Sequence, residues 1–259
     1  MLPKISIITP CFNGAATIEA CIQSIHIQDY PNVEHIVVDG GSTDGTLAIL
    51  DRLNVHYISE VDAGIYDAMN KGISLANGEI IGILNCDDFY STDHVISLVA
   101  ETFQKTGCEL CHGNIHQVDA MGQVIWRVGS DLNFAHLLKS MKVAHPSVFV
   151  SNLVYRRFGS FSVGFKIAAD YEFLLRIWEK VDVVYLDVVM VMMRMDGISN
   201  QNIRSSYIES YAAALLHGRS VLPGFLDYIF GIIKGNTVRM LRKFGVRKYS
   251  TAQNPISKK

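Results

Sequence analysis

The sequence predicts an α/β fold built on a mostly parallel sheet with helices on both faces. Three observations carry the prediction. Short apolar runs without helical spacing recur along the first half, segments with helical spacing separate them, and polar or glycine-rich loops close them. Lys4 to Thr9 is a first strand, closed by Pro10. Thr17 to Gln28 follows with Ile18, Cys21, Ile22 and Ile25 on one helical face. Val33 to Val38 is the second strand, Thr46 to Leu53 a helix, and Val55 to Ser59 the third strand. Ile65 to Ala76 is a helix that stops at Asn77-Gly78, a C-terminal signal. Ile80 to Leu84 is a fourth strand, apolar on both sides as a buried parallel strand is.

Beyond this βαβαβαβ alternation the pattern loosens. Leu110 to Gln117 and Val124 to Val128 flank the turn Ala120-Met121-Gly122 and predict a hairpin. Ser147 to Val150 is short and extended, Ala169 to Lys180 is a helix, and Val183 to Met193 is strand-like. From Arg204 onward the spacing is helical, and Leu222 to Lys248 mixes Leu, Ile, Phe and Val with basic residues.

Charge divides the chain unevenly. Lys234, Arg239, Arg242, Lys243, Arg247, Lys248, Lys258 and Lys259 supply eight basic residues with no acid among them, so residues 1–233 carry 15 basic and 25 acidic residues, a charge of −10. A basic tail on an acidic body suits an anionic surface as partner. No apolar run reaches the roughly 18 residues of a spanning helix; Val221 to Ile233 comes nearest and contains Pro223 and Asp227. Five cysteines, with Lys4 leading straight into a strand, are expected in a reducing cytoplasm.

The chemistry concentrates in polar loops after the strands, where open α/β sheets collect ligands. Asp87 and Asp88 follow the fourth strand within Asn85-Cys86-Asp87-Asp88. Two carboxylates without a neighbouring cation suit a hard divalent ion that completes its shell with phosphate oxygens. The competing reading is a helix start, since Ser91, Thr92 and Asp93 follow. The loop Asp39-Gly40-Gly41-Ser42-Thr43-Asp44-Gly45 lets backbone N–H groups approach a ligand, and Asp39 could accept from a nucleobase or a ribose hydroxyl or simply cap its turn. It lacks the lysine and spacing of a phosphate-binding P-loop. After the third strand, Asp67 and Lys71 can pair at i and i+4, or Lys71 can face a diphosphate with Asp62 near the base. Asp170 lies in the first turn of the late helix, as a dipole complement or as a general base. His145-Pro146-Ser147 could line the same pocket. Cys108-Glu109-Leu110-Cys111-His112 matches a haem-attachment motif, but it reads as a buried strand and no second Cys pair completes a zinc site.

Taken together these segments resemble family 2 glycosyltransferases of the GT-A fold. The matching stretches are Ile5 to Asn13, Val37 to Thr46, Asp62 to Gly72, Leu84 to Asp88 and Ala169 to Glu172, in the family's order. The resemblance implies an inverting transfer of a sugar from a nucleotide donor. Thr9 and Pro10 would line the nucleoside pocket, Asp39 would contact the base, and Asp62 and Lys71 would complete the donor site. Asp87 would hold Mn2+ or Mg2+ on the diphosphate with Asp88 beside it, and Asp170 would be the catalytic base. Asn85 stands where the family's D-x-D pattern has its first acid, and Ala169 where many members carry Glu. A Rossmann-like catalytic domain is expected over residues 1–200, with a nucleotide-sugar half over about 1–115 and an acceptor half over 116–200. A basic, helical, membrane-associating segment over 201–259 is expected to carry amphipathic helices.

The Glu60 to Gly72 stretch and the basic tail look in addition like bacterial enzymes that extend lipid-linked O-antigen units. That likeness implies a UDP-hexose donor (glucose or galactose), an N-acetylglucosamine or N-acetylgalactosamine acceptor on undecaprenyl diphosphate, and a peripheral position at the cytoplasmic face of the inner membrane. A non-catalytic nucleotide-sugar-binding module, or a family 2 transferase with another donor and acceptor, is the alternative. The −10 body disfavours a nucleic-acid partner, and the missing G-x-G-x-x-G disfavours a nicotinamide enzyme.

Overall fold

The computed structural model describes residues 2–119, 121–194 and 203–243. Four parallel strands form one half of its sheet: β1 (Ile5–Cys11), β2 (Val33–Asp39), β3 (Tyr57–Ser59) and β4 (Ile80–Ile83). They are joined by α1 (Ile18–His26), α2 (Thr46–Leu53) and α3 (Ile65–Leu75). The apolar runs predicted as strands are the central ones, and every residue of β1 is buried. Its side chains alternate between the faces. Ile5 and Ile7 pack with Cys21 and Ile25 of α1, while Ile8 packs with Ala68 and Met69 of α3. Helices thus cover both faces, as predicted.

The second half contains β5 (Phe89–Tyr90), α4 (Val95–Thr106), β6 (Leu110–Val118), β7 (Val124–Val128) and α5 (Phe134–Leu137). A 3-10 turn (His145–Ser147), β8 (Val148–Ser151), α6 (Asn152–Phe158), α7 (Ala169–Ile177) and β9 (Val183–Arg194) follow. The expected β6–β7 hairpin forms, with Ile115 opposite Val128. The strands lie in the order β3-β2-β1-β4-β8-β6-β9-β5, with β7 on β6. β8 runs antiparallel between β4 and β6, and β5 antiparallel to β9, while β9 is parallel to β6. The sheet is therefore parallel through its first four strands and mixed beyond them. The sequence reading did not include α4 or α6. The apolar face of α4, Val95, Ile96, Val99 and Ala100, is buried against β6 and β8 beside Cys111 and Phe149.

α8 (Ile203–Leu216) and α9 (Val221–Lys243) form a helical pair. Tyr211 stacks on Tyr228 at 5.8 Å. The helices approach so closely at Gly231 that a Cβ there would lie 2.4 Å from the Tyr207 ring. Pro223 occupies the first turn of α9, where its missing N–H breaks no intrahelical bond. α8 docks on α7, with His217 Nε2 3.0 Å from Glu172 Oε1. On α9, Leu222, Phe225, Leu226, Ile229, Phe230 and Ile233 are exposed, and Ile232 is half-buried. No helix among the described residues is long and apolar enough to cross a membrane. Of the basic tail, Arg247, Lys248, Lys258 and Lys259 lie outside the described residues.

Candidate active site

Because β1 to β4 are parallel, their C-terminal ends share one edge of the sheet, and the loops there are stitched to one another. The Gly40 N–H donates to the Cys11 carbonyl (2.8 Å) and the Glu60 N–H to that of Asp39 (3.0 Å). The Asn13 N–H donates to Ser42 Oγ (2.7 Å), and Asn13 Oδ1 accepts the Thr43 N–H (2.9 Å). Asn13 and Gly41 hold left-handed backbone at φ 52° and 85°, which asparagine and glycine tolerate. At Gly14 a Cβ would lie 2.6 Å from Cys11 Sγ and 3.0 Å from Cys86 Sγ, so the loop after β4 is packed against the loop after β1.

Asp39 is fully buried. Its Oδ2 accepts from the N–H groups of Gly41 (3.0 Å) and Ser42 (2.9 Å) and from Ser59 Oγ (2.7 Å), and the Ser42 hydroxyl donates to Oδ1. The carboxylate therefore caps its own loop. Asp62 Oδ1 accepts the Gly64 N–H (2.9 Å), and Oδ2 lies 2.5 Å from where a Gly40 Cβ would stand. The Phe12 ring comes to 3.4 Å of the same point and is 64 % exposed. Phe12, Gly40 and Asp62 thus make an aromatic and acidic corner, and Phe12 is a residue the sequence reading passed over. The signal was available: an aromatic directly beyond a strand's last residue, with no core left to enter.

The Thr9 side chain faces away from the expected nucleoside pocket, and Pro10 follows it at the end of the strand. Both are buried within β1, and the Thr9 hydroxyl lies 3.0 Å from His35 Nε2 and 4.0 Å from Cys21 Sγ. The Thr9 side chain therefore points under α1, because it shares the strand face of Ile5 and Ile7. Lys71 forms the foreseen pair with Asp67 Oδ2 (3.4 Å) and a shorter one with Glu60 Oε1 (2.9 Å), and it donates to the Val61 carbonyl (3.3 Å). Its ammonium is committed to the rim of the Asp62 loop. Hydrogen bonding to Glu60 holds its pKa above the ordinary lysine value.

At the tip of β4 the two acids separate. Asp88 is 1 % exposed and turned inward: Oδ2 accepts Asn85 Nδ2 (3.1 Å) and Oδ1 accepts the Arg194 N–H (3.1 Å) at the end of β9. Burial, and then the charge of Asp87, push the Asp88 carboxyl well above the usual range. Asp87 is half-exposed. Neither acid caps the next helix, because α4 starts at Val95 with His94 as its N-cap. Among the described residues Asn85 Oδ1 is buried without a hydrogen-bond partner. An orphaned amide oxygen beside two carboxylates is an all-oxygen donor set, which fits Mg2+ or Mn2+. Among the described residues no group of three or more His, Cys, Asp or Glu converges on a metal position. An ion here would take further ligands from outside the protein, as Mg2+ does with phosphate.

Asp170 lies in the first turn of α7, and the fold brings it to the same region through Tyr66. The Tyr66 hydroxyl donates to Asp170 Oδ1 (2.9 Å), two residues beyond Gly64 of the Asp62 loop. Lys166 Nζ donates to the Ala63 carbonyl (3.3 Å), closing the loop before α7 onto the loop after β3. His145 is buried edge-on to Phe161 at 5.3 Å. Burial lowers its pKa against the opposing pull of Asp170, so its ring is neutral near pH 7. Cys111 and His112 lie buried inside β6, as the strand reading required.

The glycosyl transferase family 2 profile matches residues 6–164, more than half of the chain. The chain belongs to this family. A PGL/p-HBAD biosynthesis glycosyltransferase of Mycobacterium bovis is 30% identical over 219 residues, covering 80% of this chain and 83% of the relative. An uncharacterized glycosyltransferase of Rickettsia typhi is 27% identical over 261 residues, covering 94% and 79%. Among solved structures, S. aureus TarS 1–349 in complex with UDP superposes with a TM-score of 0.66 at 17% identity, covering 95% of this chain and 73% of that one. The longer TarS chain gives 0.65 at 16%, and this family 2 transferase spans 44% of it. The Pyrobaculum calidifontis mannosyltransferase PcManGT in complex with GDP-Man and Mn2+ gives 0.64 at 16%, covering 95% and 80%. The fold is GT-A, as the sequence motifs implied.

Proposed function

We propose that this family 2 glycosyltransferase moves a hexose, glucose or galactose, from a UDP-sugar to N-acetylglucosamine or N-acetylgalactosamine on a lipid diphosphate, with inversion. The observation that carries the reading is the division of labour at the sheet edge: Asp87 is half-exposed while Asp88 is buried, and Asp170 is tied through Tyr66 to the first turn of α3, directly after the Asp62 loop. The Phe12 ring offers a stacking face for a nucleobase beside Asp62 and the Asp39 loop. Asp87, with Asn85 Oδ1 and with Asp88 fixing the loop, would hold Mn2+ or Mg2+. When bound, such an ion offsets charge that develops on a diphosphate leaving group. Asp170 takes the proton of the acceptor hydroxyl as that oxygen attacks the anomeric carbon from the face opposite the diphosphate, so no covalent enzyme intermediate is needed. The UDP and UDP-GlcNAc complexes of TarS and the Mn2+ complex of PcManGT support a nucleotide-sugar donor and a divalent ion.

We assign residues 1–200 to catalysis and 201–259 to docking at an anionic membrane surface, on the cytoplasmic face of the inner membrane, where an undecaprenyl-diphosphate-linked acceptor would be met. The exposed apolar side of α9 and the basic residues after it support that assignment. The test is a panel of radiolabelled nucleotide sugars with synthetic lipid-diphosphate acceptors and Mn2+. Transfer from UDP-glucose or UDP-galactose that stops in excess EDTA is expected. Full turnover in EDTA would remove the metal from the reading, and donor binding without transfer to any acceptor would favour the non-catalytic module.

A further inference from the structure

We propose that Tyr66 is a positioning residue for Asp170, holding its carboxylate through Oδ1 so that Oδ2 is the atom that receives the acceptor's proton. The proposal rests on the glycosyl-transfer reading, in which Asp170 is the base.

The helix that carries Asp170 begins without a side-chain cap of its own, because its N-cap residue is Ala168. Its entry is built from elsewhere. Glu209 of α8 accepts the N–H groups of Lys166 (2.9 Å), Ile167 (2.8 Å) and Ala168 (3.0 Å), which fixes the donors of the segment. Tyr66 of α3 addresses its acceptors: the phenol lies 2.7 Å from the Ile167 carbonyl and 2.9 Å from Asp170 Oδ1. A carbonyl and an ionised carboxylate both only accept, so the phenol's single proton is shared between the two in a three-centre bond.

The Tyr171 N–H also donates to Oδ1, at 2.9 Å. Among the described residues both hydrogen bonds to Asp170 therefore converge on one oxygen, and its two lone-pair directions are occupied. A proton arriving from an acceptor hydroxyl meets Oδ2.

Tyr66 is itself held firmly. Its ring is buried and packs on Phe161 at 5.6 Å, and Asn70 of α3 fixes the Phe161 backbone with a pair of bonds of 2.8 and 2.9 Å. Burial, then the charge of Asp170, raise the Tyr66 phenol well above the ordinary tyrosine value, so it keeps its proton and serves as a donor, not as a second base. Since Tyr66 follows Asp62 by four residues, the same turn shapes the corner beside Phe12 and the base.

The experiment compares the full chain with Tyr66→Phe, Asp170→Asn and the double variant. Turnover is read with whichever of UDP-glucose and UDP-galactose the wild type uses and with a synthetic lipid-diphosphate acceptor. UDP affinity in Mn2+ is read by calorimetry. Tyr66→Phe removes one oxygen and keeps the ring. It is expected to lower kcat by about 10- to 100-fold, the scale on which a misplaced catalytic group acts, with UDP affinity within about twofold of wild type.

Because Tyr66 acts through Asp170, the double variant is expected to be no slower than Asp170→Asn alone. Two results overturn the proposal: an unchanged kcat in Tyr66→Phe, or a double variant that is slower than Asp170→Asn by the full single effect. A loss of UDP affinity in parallel with kcat assigns Tyr66 to the donor site and overturns it as well. If Asp170→Asn itself turns over at the wild-type rate, the underlying reading of Asp170 fails, and that outcome is distinct from the other three.

Discussion

Asp87 and Asp88 are adjacent in sequence and alike in chemistry, and the fold gives them different work. Asp88 spends both oxygens on protein, one on Asn85 and one on the backbone of Arg194, and so ties the loop after β4 to the end of β9. Removing a buried acceptor leaves its donors unsatisfied, at a cost of about 1–3 kcal/mol. Asp88→Ala is therefore expected to lose activity and also stability on that scale in urea titrations. Asp87→Ala, at a half-exposed position, is expected to lose less stability than Asp88→Ala, and to lose nearly all turnover and the Mn2+-dependent part of UDP binding. The reverse pattern, an unstable Asp87→Ala and a stable, Mn2+-blind Asp88→Ala, would exchange the two roles. The pair was visible in the sequence as a pair. The resemblance gave the metal to Asp87, but the inward bracing role of Asp88 was not visible, because it depends on Arg194, more than a hundred residues away.

At the level of elements, the sheet edge is assembled by close approaches that only small residues allow. α3 lies so near β1 that a Cβ on Gly72 would stand 2.3 Å from Ile8 Cγ2, inside a fully buried contact. In an open helix Gly→Ala gains about 1 kcal/mol, whereas forcing a methyl into a packed interface costs about 1–3 kcal/mol. Gly72→Ala is therefore expected to destabilise the fold by up to about 2 kcal/mol in urea, and a more stable variant would show that α3 can lift off β1. The first four strands and their helices were legible because each is a short apolar run closed by a polar loop. The insertion of β8 between β4 and β6 was not. That position is set by pairing across long sequence separations, and the four residues of β8 carry no trace of their neighbours. Tyr66 escaped notice for a related reason: on a helix it reads as one more core aromatic, and only the approach of α7 gives its hydroxyl a task.

For the whole molecule, the question is what the outer side of α9 faces. Leu222, Phe225, Leu226, Ile229, Phe230 and Ile233 recur at helical spacing and are all exposed, so they form one apolar stripe, whose edge at Phe225 meets the Tyr211 ring of α8 at 6.5 Å. A stripe of this kind followed by eight basic residues suits a helix lying in the plane of an anionic bilayer. Each basic residue near such a surface contributes roughly 1 kcal/mol, less as salt screens it. Truncation after Ser220 is a poor test, because α9 covers Tyr207 and Tyr211 of α8, and α8 in turn holds the segment before Asp170 through Glu209. Replacing Leu226, Phe230 and Ile233 by serine leaves those contacts in place. The full chain is expected to sediment with phosphatidylglycerol vesicles at low salt and to be released as salt rises, whereas the triple variant stays in the supernatant yet still glycosylates a short-chain acceptor. Equal binding of the wild type to phosphatidylglycerol and phosphatidylcholine would remove the charge from the argument. A wild type that binds neither and sediments as a dimer would give the stripe to a second copy of the chain.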